Sequence, residues 1–208
     1  LGGGRSSAAQ HSQSIHAWAA HIPGVKVVVP STAGECKGLL KTAIRDNDPV
    51  MFFEHKMLYT TKFNDVPEVE EDVCIPFGRA RIVAEGADIT VVTNSMMTIK
   101  AEKAVRQLQK EGISAELIDL RTIVPLDTET IIRSVKKTGK LLIVDEGHLS
   151  FGITGEIASR IMPDVFYDLD APIQRMGTAD VPLPFSPALE FPLIPDEKKI
   201  AAKIREMV

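Results

Sequence analysis

Apolar and polar residues alternate along the first part of the chain in a strand, helix, strand order. The β-branched run at 25–29 and the apolar run at 50–54 are typical of buried strands, and the segment between them has apolar residues at helical spacing. Thr32 and Glu35 stand three residues apart, as the capping box at the beginning of a helix requires. The segment therefore predicts a β-α-β unit with parallel strands and a right-handed crossover.

A shorter helix is predicted before this unit. Its apolar residues recur on one helical face, and Pro23 and Gly24 end the pattern. They are Ile15, Trp18, Ala19 and Ile22. A loop that carries His11 leads into this helix, so we expect His11 at the helix entrance.

The alternation resumes beyond residue 77 and predicts a second α/β unit. Asp127 is a suitable N-cap, and Lys136 and Lys137 suit the helix C-terminus before Gly139. Five prolines within 181–195 predict an extended arm, and Asp196 should cap a terminal helix. The predicted strands are 89–93, 115–120, 141–146, 165–169 and 173–176, and the predicted helices are 98–111, 128–137 and 155–161. Together they favour a largely parallel sheet.

The two units are separated by a stretch in which the periodicity fails. Between about 56 and 77 no helical or strand pattern is found, and an acidic run lies between two prolines, as in a solvated connection. The run contains Glu68, Glu70, Glu71 and Asp72. We therefore divide the chain into a first domain at 1–58, a linker at 59–77 and a second domain at 78–208.

Composition excludes several classes of function. The net charge is -4 and the basic residues are scattered, which argues against a nucleic-acid partner. The apolar runs are far shorter than the ~20 residues of a membrane span, so we expect a soluble protein. Cys36 and Cys74 have no CxxC spacing and suggest neither a disulfide framework nor a zinc site. Because the chain begins at Leu1 with a glycine-rich loop, we expect it to be truncated at its N-terminus.

Three groups of polar residues are candidates for function, each with a structural alternative. His11 lies between amides and hydroxyls, where an imidazole can serve catalysis or cap a helix. The oxygen-rich segment 46–48 suits either a cation or an ordinary turn. Arg121 and Glu146 follow predicted parallel strands, the edge where α/β sheets bind ligands, but both can equally fix loops or subunit contacts by ion pairing. Phosphate-binding, GxSxG and metal-spacing motifs are missing from the sequence.

Six segments, in order, resemble the β subunits of the decarboxylating component of 2-oxo acid dehydrogenase complexes, which include the pyruvate, branched-chain 2-oxo acid and acetoin enzymes. The likeness covers residues 6–208, and more distantly the chain is similar to the transketolase superfamily. The segments are AAQHSQS, HIPGVKVVVPST, KGLLKTAIRDNDPV, EGISAELIDLRTIVPLDTETI, SVKKTG and LDAPI. The resemblance implies an α/β fold in which the end of a pyrimidine-binding domain precedes a transketolase C-terminal-like domain with a mostly parallel sheet.

The resemblance also implies roles for particular residues. His11 matches the histidine that faces the thiazolium of thiamine diphosphate and handles substrate and acyl transfer to lipoamide. Ala43, Asp46 and Asp48 match a structural potassium site, although Asp48 stands where asparagine is usual. Asp170 matches the region at which the β dimer docks the acyltransferase component.

The remaining expectations concern cofactor and partners. By the resemblance, thiamine diphosphate and magnesium are shared with an α subunit in an α2β2 heterotetramer, and the activating glutamate lies upstream of Leu1. The partners are then the α subunit, a second β subunit and the lipoyl acyltransferase, in a bacterial cytoplasm or the mitochondrial matrix. Two alternatives remain: a non-catalytic dimerisation and docking module, and another transketolase-like enzyme.

Overall fold

The computed structural model describes residues 1–61 and 73–208. Its first part contains the predicted β-α-β unit: β1 and β2 pair in parallel, Lys26 opposite Val50 and Val28 opposite Phe52. Thr32 caps α3 by accepting a hydrogen bond from the amide of Glu35. The elements are α1 (Ala8–Ser12), α2 (His16–Ala20), β1 (Lys26–Val28), α3 (Ala33–Arg45), β2 (Val50–Phe52) and a 3-10 helix at Lys56–Tyr59.

The second part is built around a five-stranded sheet of order β3-β5-β4-β7-β8, in which only β3 is antiparallel to its neighbour among the described strands. This confirms the predicted α/β class with a mostly parallel sheet. The strands are β3 (Arg81–Ala84), β4 (Ile89–Thr93), β5 (Ala115–Asp119), β6 (Thr122–Val124), β7 (Leu141–His148) and β8 (Gln174–Thr178). The helices are α4 (Ser95–Gln109), α5 (Thr128–Thr138), α6 (Ile153–Val165), α7 (Pro187–Glu190), a 3-10 helix at Phe191–Leu193 and α8 (Glu197–Met207).

β6 was not predicted. It follows β5 of the second sheet in the chain but belongs to the first sheet. It pairs antiparallel with β1, with Val27 opposite Val124, and the first sheet therefore has the order β2-β1-β6. The chain reverses before β6 at Arg121, whose φ is 58°. Through its backbone hydrogen bonds to β1, the short strand β6 thus connects the first half of the chain (residues 1–61) with the second half (residues 73–208).

Two further predictions were wrong. The apolar stretch at 165–169 is not a strand, since Val165 ends α6 and turns follow it. The proline-rich arm is not wholly extended, because Pro187 occupies the first turn of α7, where its missing amide proton costs no hydrogen bond. The acidic run at 68–72 lies outside the described residues.

The core lies on both faces of the second sheet. One cluster packs α4 and α8 against the sheet, with Leu117 and Leu142 fully buried. The other packs α5 and α6 on the opposite face and includes Ala19 and Val27 from the first part of the chain. Each fully buried aliphatic side chain contributes roughly 1.5 to 3 kcal/mol, so this second cluster also holds the halves together. Within the described residues, no helix is both long enough and apolar enough to span a bilayer.

Candidate functional site

His11 lies on a short helix that the sequence pattern did not predict. It is the fourth residue of α1, so the expectation of a helix entrance was wrong, and its side chain is exposed. The ammonium of Lys56 donates a hydrogen bond to the His11 carbonyl oxygen. Ser12 and Ser14, close to His11 in the chain, have buried hydroxyl oxygens without a hydrogen-bond partner among the described residues. The segment therefore combines the exposed imidazole of His11 with two buried serine hydroxyls.

The glycine-rich loop before α1 is bound by two carboxylates. Glu146 Oε1 accepts a hydrogen bond from the Gly3 amide at 2.6 Å. The Glu190 oxygens accept from the amides of Gly4 at 2.9 Å and Ser6 at 2.8 Å. Glu146 comes from β7 and Glu190 from α7, so the second half of the chain holds the loop that leads to His11.

The carboxyl end of β7 carries two buried histidine–carboxylate pairs. His55 Nε2 lies 2.9 Å from Glu146 Oε2, and His16 Nε2 lies 2.9 Å from Asp145 Oδ2. Asn94 donates a further hydrogen bond to Asp145 Oδ1 at 2.9 Å. Both histidines belong to the first half of the chain, and each has a side chain only 1% exposed. The two pairs therefore join the halves through buried polar contacts.

The pKa shifts of His16, Asp145 and Glu146 favour the charged forms of these three groups. Burial alone would raise the pKa of Asp145, but the charge and hydrogen bond of His16, together with Asn94, lower it. Burial likewise opposes the charged form of His16, yet Asp145 raises the pKa of the imidazole. The pKa of Glu146 is also lowered, because His55, Lys100 and the Gly3 amide outweigh its burial. The directions for His16 and Asp145 agree with an ion pair.

A second polar cluster surrounds Glu35 at the beginning of α3. Glu35 Oε1 accepts hydrogen bonds from Arg81 Nε at 2.6 Å and Arg121 Nε at 2.8 Å. Burial, and then the nearby Glu35 charge, raise the pKa of Asp119 to about 7. Arg121 thus forms an ion pair with Glu35, as the structural alternative predicted, and Glu146 forms hydrogen bonds with His55 and the Gly3 amide.

The oxygen-rich turn after α3 contains a lysine ammonium. Lys26 Nζ lies 2.7 Å from each carboxylate oxygen of Asp46 and 3.1 Å from Asp48 Oδ2. The Ala43 carbonyl accepts a hydrogen bond from the Asp46 amide at 3.3 Å. The three residues of the predicted potassium site are therefore close together, with Lys26 supplying positive charge between the carboxylates. The described residues include no cluster of three or more histidine, cysteine, aspartate or glutamate side chains that could hold a metal ion.

Asp170 lies far along the chain from these clusters and close to the end of α5. Its amide donates a hydrogen bond to the carbonyl of Gly139 at 2.8 Å, and its side chain is exposed. Phe166 and Tyr167, which precede it, are 61% and 96% exposed. Asp170, Phe166 and Tyr167 are thus exposed side chains of one short segment, in which Asp168 Oδ2 lies 4.0 Å from Lys136 Nζ.

A groove of about 1070 Å³ lies between α2 and the segment that joins β7 to α6. Trp18, Ile22 and Phe151 line it and are 71%, 54% and 103% exposed. The predicted apolar face of α2 is therefore only partly a core face, since Ala19 packs inward while Trp18 and Ile22 remain accessible. An exposed apolar groove of this kind is typical of an interaction surface.

Sequence reasoning missed the histidines and the glutamate that organise the site. His16 and His55 lie 129 and 91 residues from their carboxylate partners, and Glu190 binds a loop 184 to 186 residues away. Local spacing therefore carried no signal for these contacts. The acidic pair that follows the buried run of β7 was the available signal, because it marks a sheet edge where polar groups collect.

Two family models match the chain. The model for the transketolase C-terminal domain matches residues 78–200, and the model for the transketolase pyrimidine binding domain matches residues 1–62.

Similar proteins include three annotated β subunits. The pyruvate dehydrogenase E1 component subunit beta of Rickettsia felis is 48% identical over 200 residues, which are 96% of this chain and 60% of that protein. The 2-oxoisovalerate dehydrogenase subunit beta of Bacillus subtilis is 44% identical over 207 residues, 99% of this chain and 63% of that protein. The acetoin:2,6-dichlorophenolindophenol oxidoreductase subunit beta of Cupriavidus necator is 46% identical over 206 residues, 99% of this chain and 60% of that protein.

A solved structure described as a split gene transketolase, inactive beta4 tetramer, superposes with a TM-score of 0.76 at 25% identity. The match covers 96% of this chain and 62% of that one. The chain thus spans 60 to 63% of the length of the three β subunits and 62% of this structure.

Proposed function

Because the chain belongs to the transketolase C-terminal domain family, we propose that it is part of the β subunit of a 2-oxo acid dehydrogenase of the pyruvate, branched-chain or acetoin type. The observation that carries the proposal is His11, an exposed imidazole on a segment whose main chain is held from both sides. The likeness to β subunits of three different enzymes over nearly the whole chain supports the reaction class. The proposal includes the domain limits 1–58 and 78–208.

In this proposal the chain forms one wall of a shared cofactor cleft. Thiamine diphosphate, when bound, supplies the electron sink for loss of CO2 from a 2-oxo acid. His11 contacts the substrate side of the cleft and exchanges protons during acyl transfer to lipoamide. By the resemblance, the diphosphate and its magnesium are assigned to the α subunit.

The partners are an α subunit, a second β subunit and a lipoyl acyltransferase. The groove at Trp18 supports a subunit contact, and the exposed side chains of Phe166, Tyr167 and Asp170 support docking of the acyltransferase. Related β subunits occur in bacteria and in mitochondria, and we place this protein in a bacterial cytoplasm or the mitochondrial matrix.

The direct test uses the full-length β subunit that contains this chain, assembled with its α subunit and thiamine diphosphate. We expect reduction of 2,6-dichlorophenolindophenol with pyruvate, 2-oxoisovalerate or acetoin, and loss of this activity in His11→Asn. An assembly that binds the cofactor and turns over none of the three substrates would refute the proposed reaction. Calorimetry of residues 1–208 alone should detect no thiamine diphosphate binding, because the proposed cofactor anchors lie elsewhere.

The exposed groove favours a second candidate, a module that assembles subunits and contributes no chemistry. The same experiment separates the two candidates. A pure assembly module would form the complex with His11→Asn and retain full activity, whereas the enzyme subunit would form the complex and lose activity. A transketolase-like enzyme would instead transfer a ketol group between sugar phosphates and leave the three substrates unchanged.

A further inference from the structure

The orientation of His11 cannot be set by α1 itself. A helix of five residues is too short to be stable alone, because one turn fixes many dihedral angles for very few hydrogen bonds. Ser7, at the N-cap position, makes no side-chain capping hydrogen bond. The position of His11 therefore depends on the segments on either side of α1.

On the N-terminal side, the loop is bound through its backbone amides. The Glu190 carboxylate accepts hydrogen bonds from the amides of Gly4 and Ser6, and the Glu146 carboxylate accepts one from the amide of Gly3. The Glu190 residue is 0% exposed, so its carboxylate relies on these donors in place of water. Hydrogen bonds to an ionised acceptor are stronger than neutral ones, and adjacent amides directed at one anion hold the backbone in a defined curve.

The shape of the loop fits this contact closely. A Cβ atom on Gly3 would lie 2.6 Å from Ile194 Cδ1, which follows α7. Ser6 and Ala8 have φ values of 55° and 57°, in the left-handed region that residues with side chains rarely adopt. Such strain persists only where the surrounding structure determines the conformation. The carboxylate contacts supply that constraint immediately before the helix of His11.

We propose that Glu190, assisted by Glu146, is a positioning residue for His11: its carboxylate fixes the strained loop at Gly4 and Ser6 and thereby the direction in which α1 presents the imidazole. The inference rests on the proposed role of His11 in the reaction. It links the proline-rich arm of the second domain, which carries Glu190, to the cofactor cleft in the first domain.

The test compares Glu190→Gln with Glu206→Gln in the full-length β subunit assembled with its α subunit. Glutamine keeps the buried volume but leaves one loop amide facing an NH2 group, whereas Glu206 is an exposed residue on α8 that pairs with Lys203. We expect Glu190→Gln to lower kcat roughly 10- to 100-fold, as misplacement of a catalytic group by about 1 Å does. KM should remain close to the wild-type value, and Glu206→Gln should leave both constants unchanged.

Two readouts separate positioning from general stability. Hydrogen exchange at the Gly3, Gly4 and Ser6 amides should accelerate in Glu190→Gln while the amides of β4 stay protected. The rate of His11 modification by diethylpyrocarbonate, measured by mass spectrometry, should change while that of the exposed His21 stays constant. An unchanged kcat despite faster loop exchange would overturn the proposal, as would unchanged exchange and unchanged modification of His11.

Glu190→Asp keeps the proposal testable if Glu190→Gln fails to assemble. The shorter side chain retains the buried charge but cannot reach both amides in the same geometry, so a smaller fall in kcat is expected. A wild-type kcat in Glu190→Asp together with wild-type exchange would then refute the positioning role. If wild-type enzyme is inactive with all three substrates, the proposed function fails, and the modification rate of His11 still decides whether Glu190 positions it.

Discussion

Two regions of this molecule use the same residue type in opposite ways. At the end of β7, His16 and His55 are buried and each is paired with a carboxylate at 2.9 Å. Near the end of α1, His11 is exposed, and its backbone carbonyl accepts a hydrogen bond from the Lys56 ammonium. The two buried histidines thus join the two halves of the chain, whereas the exposed imidazole of His11 is accessible from solvent.

The difference follows from what each environment permits. The His16 imidazole is only 1% exposed and is bound to Asp145, so a ligand in solvent cannot reach it in this conformation. An exposed imidazole on a constrained segment can approach one freely, and its position is set by the backbone. The shifted pKa values of His16, Asp145 and Glu146 accompany contacts between the two halves, and its exposure makes His11 the candidate for chemistry.

The largest expected effect comes from removing the exposed imidazole. His11→Asn in the assembled enzyme should lower kcat roughly 10²- to 10⁴-fold, the usual contribution of a positioned acid or base. Because the His11 side chain is exposed, the thermal midpoint should stay at the wild-type value. A variant that loses stability in parallel with activity would place His11 with the structural histidines, and scanning calorimetry beside the kinetic assay distinguishes these outcomes.

Breaking a buried histidine–carboxylate pair should instead lower the stability of the fold. Asp145→Ala leaves the His16 imidazole buried without its partner, and we expect a loss of about 3 kcal/mol or more in the free energy of unfolding, measured by urea titration. Asp164→Ala, a change at an exposed position on α6, is the matched control and should have little effect. Equal effects of the two substitutions would show that the His16 contact adds nothing to stability.

The His16 pair should also make stability depend on pH. The folded-state pKa of His16 is raised, so its contribution is complete below about pH 6.5 and is lost as pH rises through the raised value. The folded-state pKa of Asp145 is lowered, so its contribution is present above about pH 4 and is lost as pH falls through the lowered value. The stability difference between wild type and His16→Gln should therefore be larger at pH 6 than at pH 9. A difference independent of pH would argue against a charged pair.

The smallest effect is expected at the exposed turn after α3. Lys26→Met leaves Asp46 and Asp48 without their ammonium, and the thermal midpoint should fall slightly. If the proposed potassium site exists, potassium chloride should restore the midpoint of this variant more than sodium chloride at equal ionic strength. Equal responses to the two salts would favour the ordinary turn.

Local patterns predicted most helices and parallel strands, because burial imposes periodicity on each element separately. The capping residues Thr32, Asp127 and Asp196 were correctly read, since a cap depends on neighbours three residues away. The antiparallel strands β3 and β6 were missed because both are short and are stabilised by partners distant in sequence. The partners of Asp145 and Glu146 were missed for the same reason.

The pairing of β6 with the first sheet bears on how the protein unfolds. β6 belongs to the second half of the chain but pairs with β1 of the first half. Unfolding of either half therefore breaks backbone hydrogen bonds of the other. Cleavage of the chain between residues 59 and 77 should not yield two independent folding units, because residues 78–208 alone would carry β6 without β1 as its partner, and an unpaired strand is prone to pair between molecules. The halves should therefore unfold in one cooperative transition, as a single thermodynamic unit.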